Sequence, residues 1–316
     1  MIGSAASALQ ILPEIAKTAK KVSMFQRTAN YVLPRRDRKY NALDKWCFRY
    51  LPFYSKLYRL FLFMRYEWLA YPIVKTARKN LGKRWGLWEF RRLLNRCIKD
   101  SELKARLTPD YPIGCKRVLI SDTFFDAFNR DTVELVTSGI QAVEANGVRD
   151  VDGRLHPADV LIYATGFDTQ GHHTNQRVVG PQGRALSEAW SDAPIAYRGC
   201  MVSGFPNYHF TTGPNTGVGT TSVIFIIEQS CRLIIDCIKA AGSDRLIEPR
   251  QEAMQAYDQE IQQALGTTVW ASSCSSWYKR DDGRITILYP YDARAYRREH
   301  RRMKKTDFDI RPRQAA

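Results

Sequence analysis

The sequence contains no Cys-x-x-Cys pair, and its seven cysteines (47, 97, 115, 200, 231, 237 and 274) are an odd number. A disulfide framework or a zinc ribbon is therefore not expected, and a reducing, cytoplasmic setting is. No signal peptide is legible, because Met1 leads straight into Ile-Gly-Ser-Ala-Ala-Ser-Ala. Uninterrupted apolar runs of spanning length are missing too. The longest candidate, Leu57 to Val74, is broken by Arg59, Arg65 and Glu67, which argues against a spanning helix. A buried or interface helix is expected there, with a peripheral membrane contact as the minor alternative. No internal repeat occurs. Acid is scarce at the amino-terminal end: residues 1–110 hold 24 Lys and Arg against 8 Asp and Glu. The corresponding figures are 15 and 20 in 111–290, and 9 and 4 in 291–316.

The first third thus carries the imbalance behind the net charge of +16. It could meet phosphates, a membrane surface or an acidic domain of its own protein. With 316 residues, 44% of them hydrophobic and 25% charged, the chain can build one large or two ordinary domains. Disorder and coiled coil are poor readings of such a composition.

Met1-Ile2 reads as the end of a strand, Gly3 as a turn, and Ser7 to Lys21 as a helix that Pro13 kinks or opens. Val22 to Phe25 is a short strand ending at Gln26-Arg27-Thr28. Residues 40–107 are helical in pattern and rich in aromatics and arginine, closed by Pro109 and Pro112. Asp122 to Asn129 reads as a short helix, Val133 to Val136 as a strand, and Gly147 to Asp159 as a hairpin turning at Asp152-Gly153. Val160 to Tyr163 reads as a buried strand running into Ala164-Thr165-Gly166. A strand at Asn207 to Thr212 precedes the glycine-rich loop Gly213 to Gly219. Helices follow at about 221–241 and 249–265, and a basic helix at 294–305. Strands alternating with helices, with glycine loops at strand ends, predict an α/β sheet fold with its sites at the strand carboxyl ends.

Gly3-Ser4-Ala5-Ala6-Ser7-Ala8 fits a relaxed dinucleotide fingerprint with Ala5 at the second glycine position. The amides of Ala6 and Ser7 would face a pyrophosphate. About 20 residues on, where an NAD site carries an acid, stand Arg27 and Thr28, which suit a 2′-phosphate. A surface arginine in a basic region is the bland alternative. No metal site is expected: His172-His173 lacks matching carboxylates, and Asp168 reads as a turn residue.

At these residues the chain resembles Baeyer–Villiger flavin monooxygenases, the 4-hydroxyacetophenone type in particular, at their second, NADPH-binding Rossmann motif. The likeness continues through Tyr111-Pro-Ile-Gly-Cys-Lys-Arg117, Leu161-Ile-Tyr-Ala-Thr-Gly-Phe-Asp168, Gly204-Phe-Pro-Asn207, Thr212-Gly-Pro-Asn-Thr-Gly217, Ile227-Glu-Gln229 and Ser275-Ser-Trp-Tyr278. It implies an α/β, two-dinucleotide-binding flavoprotein fold, with FAD and NADP(H) as cofactors and a ketone or sulfide plus O2 as substrates. It places Cys115 and Lys116 with Arg27 and Thr28 around NADP, Trp277 at the nicotinamide-side ribose, and Val223 near the flavin ring. Arg117 corresponds to the arginine that stabilises negative charge developing beside the flavin.

The family's first glycine motif for FAD, and the fingerprint that precedes the NADPH motif, have no counterpart in these residues. The fold is therefore expected to be incomplete, a carboxyl-terminal portion whose partner would be an amino-terminal FAD half. The implied division is 1–115 for a partial NADP domain with a helical insertion at about 40–107, then 116–157 for its remainder and return hairpin. Residues 158–240 would be the carboxyl-terminal part of the FAD domain, and 241–316 a helical and basic tail. The competing class is a non-catalytic module that binds NADP, or uses its basic face on nucleic acid or anionic lipid. Because the aromatic-basic stretch coincides with the insertion, structural use is expected and no specific nucleic acid is.

Overall fold

The computed structural model describes residues 1–76, 80–167, 177–272 and 276–313. The expectations for Asp168, His172-His173, Cys274 and Ser275 fall outside them. The chain divides into two compact units, one of Met1–Lys45 with Lys83–Phe167, the other of Trp46–Gly82 with Asp168–Ala316.

The first unit opens with α1 (Ala6–Ile15), β1 (Val22–Phe25) and β2 (Val32–Leu33). Three helices come next in the chain, α2 (Ala42–Tyr50), α3 (Tyr54–Leu69) and α4 (Tyr71–Val74), before α5 (Leu81–Cys97) and α6 (Ser101–Arg106). The unit continues with β3 (Leu119–Ile120), a 3₁₀ turn at Phe125–Asn129, β4 (Val133–Val136) and a meander of β5 (Ile140–Glu144), β6 (Gly147–Asp150) and β7 (Leu155–Pro157). Four segments lie side by side in the order Tyr163, Ile2, β1, β4, all parallel. β2 and β3 form a second parallel pair. Buried Val22, Met24 and Phe25, pointing to both faces, explain why β1 sits inside the sheet, and Val136 and Val148 pack on Phe25 together with Leu161. The α/β reading holds.

Several local expectations do not. α1 stops at Ile15 instead of Lys21, and Pro13 lies in its last turn, where the missing N–H removes a rung of the helix ladder. Val160 to Tyr163 is not a buried strand: among the described residues only Tyr163 makes a bridge, to Ile2, and Val160 and Tyr163 are 71% and 64% exposed.

The second unit adds α7 (Leu186–Ala189), α8 (Val223–Ala241), β8 (Arg245–Pro249), α9 (Gln251–Leu265), α10 (Ala293–Glu299) and β9 (Phe308–Pro312). Its core gathers Leu233 and Cys237 of α8, Met254 of α9, Ile247 of β8 and Phe308 of β9 around Tyr197, Cys200 and Met201. The helix expected at 57–74 is also more open than predicted, since Leu57, Leu60, Phe61 and Trp68 of α3 are each more than half exposed. The strand expected at 207–212 is absent. Asn207 has φ of +59°, and its amide N–H and side-chain oxygen bond the backbone of Ile247, so one asparagine takes the place of a ladder.

The basic tail is not one helix. α10 ends at Glu299, and the chain returns as β9, antiparallel to β8. His300 explains the stop. It is fully buried, stacked on Tyr296 with ring centroids 3.9 Å apart, and its ring nitrogens lie 2.8 Å from Tyr296 O and 2.9 Å from Arg198 O.

Burial pushes His300 from its ordinary 6.5 down to about 4. Between those values the unfolded chain binds more protons, so the contribution to stability is complete above about pH 6.5 and is lost towards pH 4. Urea unfolding followed from pH 6.5 to 5 should show stability falling by up to roughly 1.4 kcal/mol per pH unit from this one group. His300→Gln should flatten that part of the slope; an unchanged slope would show that His300 is not its source.

Candidate active site

The turn after Ile2 is set by close backbone approach. Ile2 N–H donates to Ile162 O at 2.8 Å, Ala164 N–H donates to Ile2 O at 2.8 Å, and Gly3 N–H donates to Phe25 O at 3.1 Å. Gly3 has φ of +107°, and a Cβ there would lie 2.3 Å from Ala164 O. Only glycine fits, because the Ala164-Thr165-Gly166 strand end crosses directly over it. Ala8, at the sixth fingerprint position, is fully buried, which lets α1 lie close to the sheet. The N-cap of α1 is Ala5, with no side-chain oxygen to satisfy the first amides, so those of Ala6 and Ser7 open the helix uncapped. Ser4 ties the turn to the next loop. Its hydroxyl donates to Thr28 O at 3.2 Å, and Asn30 Nδ2 donates to Ser4 O at 2.9 Å.

Two tyrosines then bring a distant loop to this point. Tyr31 OH donates to Tyr111 O at 2.8 Å and Tyr111 OH donates to Ala29 O at 3.1 Å, with the rings edge to face at 5.5 Å. These two bonds fix the Gly114-Cys115-Lys116-Arg117 loop against the residues that follow Arg27. Gln26 turns inward and donates to Arg106 O at 2.9 Å, leaving Arg27 exposed and Thr28 half-buried at the end of β1. The Lys116 ammonium sits 4.8 Å from the Tyr111 ring centre. Burial, and then the like charge of Arg27, push the Lys116 ammonium below its ordinary value, while Asp110 opposes the shift. Arg27 and Lys116 are thus two positive charges that feel one another, and the start of α1 has no side-chain cap.

Cys115 is fully buried and disulfide-bonded, so only its backbone remains for a ligand. Arg117 is exposed. Sequence reasoning missed Gln26, Tyr31 and Asn30 as positioning residues. The two tyrosine hydroxyls carried no signal in isolation, since each bonds a backbone carbonyl some 80 residues away in the chain.

The other expected residues belong to the second unit. The loop Gly213–Gly219 is anchored by buried Asn215, whose Nδ2 donates to Ile285 O at 2.7 Å and Leu288 O at 2.9 Å. Gly217 makes a parallel bridge with Leu288. This loop delivers the chain to α8, whose first residue, Val223, is 62% exposed beside an N-cap, Ser222, that makes no side-chain capping bond. Trp277 is 47% exposed, its ring 4.4 Å from that of Tyr278.

A βαβ opening with its glycine turn under a second strand end is a dinucleotide-binding scaffold. No family model matches the chain. The Baeyer–Villiger monooxygenase of Streptomyces coelicolor is 35% identical over 324 residues, covering 98% of this chain and 60% of that protein. The FAD-binding monooxygenase ktnD of Aspergillus niger is 37% identical over 316 residues, covering 98% and 52%. Among solved structures, closed cyclohexanone monooxygenase superposes with a TM-score of 0.79 at 20% identity, covering 99% of this chain and 67% of that one. Oxidized steroid monooxygenase bound to NADP gives 0.77 at 23%, covering 98% and 66%. Over nearly its whole length the chain is similar to Baeyer–Villiger-type monooxygenases, and it shares their fold. It spans 52% to 60% of the length of the two curated relatives named.

Gly3→Ala should lower stability by about 2–4 kcal/mol, from a strained left-handed backbone together with a clash against Ala164 O. Thermal unfolding of the two proteins measures it, and an unchanged midpoint would mean that the turn relaxes freely.

Proposed function

We propose that this chain is the NADP-binding part, together with the carboxyl-terminal part of the flavin domain, of an FAD- and NADPH-dependent monooxygenase. The reaction would insert one oxygen atom of O2 beside a carbonyl or onto sulfur, in the cytoplasm. The observation that carries the reading is the Arg27–Lys116 pair, locked by Tyr31 and Tyr111 beside the uncapped start of α1. An NAD-type ribose would want an acid at this place, whereas a 2′-phosphate wants cations.

Arg27, Lys116 and the Thr28 hydroxyl would hold the 2′-phosphate, and the amides of Ala6 and Ser7 the pyrophosphate, with Gly3 and Ser4 shaping the turn. Trp277 would contact a ribose, and Val223 would lie near the flavin ring. When bound, the two cofactors supply the hydride and the activation of oxygen. Arg117 contributes a cation that persists at any working pH and donates hydrogen bonds from a planar fork. Fixed beside developing negative charge on oxygen, such a group stabilises the transition state without reorganising. The FAD pyrophosphate needs a glycine turn of its own, which calls for an FAD-binding half as partner. Exposed Val160, Tyr163 and Phe167 (92%) support this, since they are apolar residues on a segment with one sheet neighbour among the described residues.

Titration calorimetry of the chain should give tighter binding of NADP than of NAD. Two charge-assisted contacts worth about 3 kcal/mol together correspond to a preference on the order of a hundredfold. Replacing both Arg27 and Lys116 with Ala should erase it, and equal affinities in the unaltered chain would remove the assignment. Once the chain is joined to an FAD-binding half, Arg117→Ala should preserve flavin reduction by NADPH and abolish oxygen transfer. Arg117→Lys should recover little, because an ammonium lacks the fork. Undiminished ester formation from a ketone by the alanine variant would take Arg117 out of the mechanism.

A further inference from the structure

We propose that the outward face of α3, with the arginines that follow from α10, docks on an anionic lipid bilayer. α3 packs by residues 59, 63 and 67. Arg59 donates to both carboxylate oxygens of Glu228 at 3.0 and 2.8 Å, the Phe63 ring lies 5.2 Å from that of Phe225, and Ala293 N–H donates to Glu67 at 3.2 Å. Residues four apart share one helix face, so these three mark the inner one. Leu57, Phe61 and Trp68 project from the other side, and they are 63%, 59% and 66% exposed. A surface helix ordinarily buries its apolar stripe and shows its charges. Here leucine, phenylalanine and tryptophan face water, while Glu67 is buried and Arg59, itself exposed, pairs with Glu228. Trp46, Tyr50 and Phe53, just upstream, are exposed as well, so the apolar surface exceeds a scatter of single residues.

Charge selects the partner. Residues 46–75 hold five cations (Arg49, Lys56, Arg59, Arg65 and Lys75) and one acid, Glu67, whose carboxylate is buried. The Arg49 guanidinium lies 5.4 Å from the Tyr50 ring centre and the Lys56 ammonium 6.0 Å from that of Phe53, so cations flank the exposed rings. Such side chains can sink their stems and keep their heads among polar groups. Glu67 also joins the two helices, since Arg294 lies 3.8 Å from its second oxygen. From there Arg297, Arg298, Arg301 and Arg302 line two adjoining clefts of about 350 Å³ each.

Nucleic acid would engage the cations and rings but leave Leu57 and Leu60 in water. A second copy would set the same cations against each other across a two-fold axis. An anionic bilayer satisfies both halves of the surface, with the apolar residues at the acyl boundary and the cations among headgroups. Among the described residues no helix is long and apolar enough to cross a membrane, so the contact lies in the interface plane.

The test is flotation of the chain with phosphatidylcholine vesicles made with and without phosphatidylserine. The chain should float with the anionic vesicles, remain behind with neutral ones, and dissociate as salt is raised. Leu57→Glu with Phe61→Glu should abolish flotation. Arg297→Glu with Arg301→Glu should weaken it by at least on the order of tenfold, each lost cation being worth about 1 kcal/mol near such a surface. Both sites are exposed, and unchanged urea midpoints would confirm intact folds. The proposal is overturned if the chain ignores anionic vesicles, binds neutral ones equally, or keeps binding in the Leu57/Phe61 variant. It is equally overturned if that variant loses only self-association or only retention on single-stranded oligonucleotide.

Discussion

The parallel sheet of the first unit is held through Ile2, which bonds the backbone on either side of Tyr163 while Gly3 bonds the end of β1. A strand that gives its hydrogen bonds to two neighbours cannot be displaced without opening both ladders. Because Ile2 is followed at once by Gly3, the turn lies under Ala164 with no room for a side chain. From there the course of α1, the depth of buried Ala8 and the position of the uncapped amides all follow. What stands at the helix start is thus a consequence of backbone packing and not of any ionisable group.

On that scaffold the charged residues are placed by neutral ones. Arg27 and Lys116 are 89 positions apart in sequence. Their approach rests on the Tyr31–Tyr111 exchange of hydroxyl-to-carbonyl bonds and on the inward turn of Gln26. Buried hydroxyls that each find a carbonyl stabilise modestly but fix geometry sharply, because leaving either unpaired is costly. The second unit follows a similar rule at its glycine loop, where Asn215 spends both amide protons on the backbone of 285–288.

The apolar surface of α3 and the exposed apolar residues at 160–167 are different in kind. Among the described residues, 160–167 bond across the sheet only to Ile2, whereas α3 is a complete helix whose inner face is already engaged. The first has an open backbone edge; the second lacks only an apolar environment. This difference is why the two surfaces are assigned different occupants.

Much of the fold could be read in the residues themselves. Val22–Phe25 and Val133–Val136 appear where their β-branched and apolar runs place them, as does the hairpin around Asp152-Gly153, and α8 and α9 begin within two residues of the periodic pattern. Those features are local, governed by periodicity and turn chemistry, so a linear reading reaches them. The family was legible as well, since its motifs are short and ordered along the chain. What the sequence could not supply was everything decided by distant partners. Asn207 replaces a strand because it docks on Ile247. The tail leaves its helix because His300 is buried between two carbonyls, and β9 exists because β8 is there to pair with it, although the alternation Phe-Asp-Ile-Arg was a signal that could have found it. The inward and outward faces of α3 were undecided for the same reason: its sequence is apolar on several sides, and only the packing of Phe63 and Glu67 against their partners settles which side meets water.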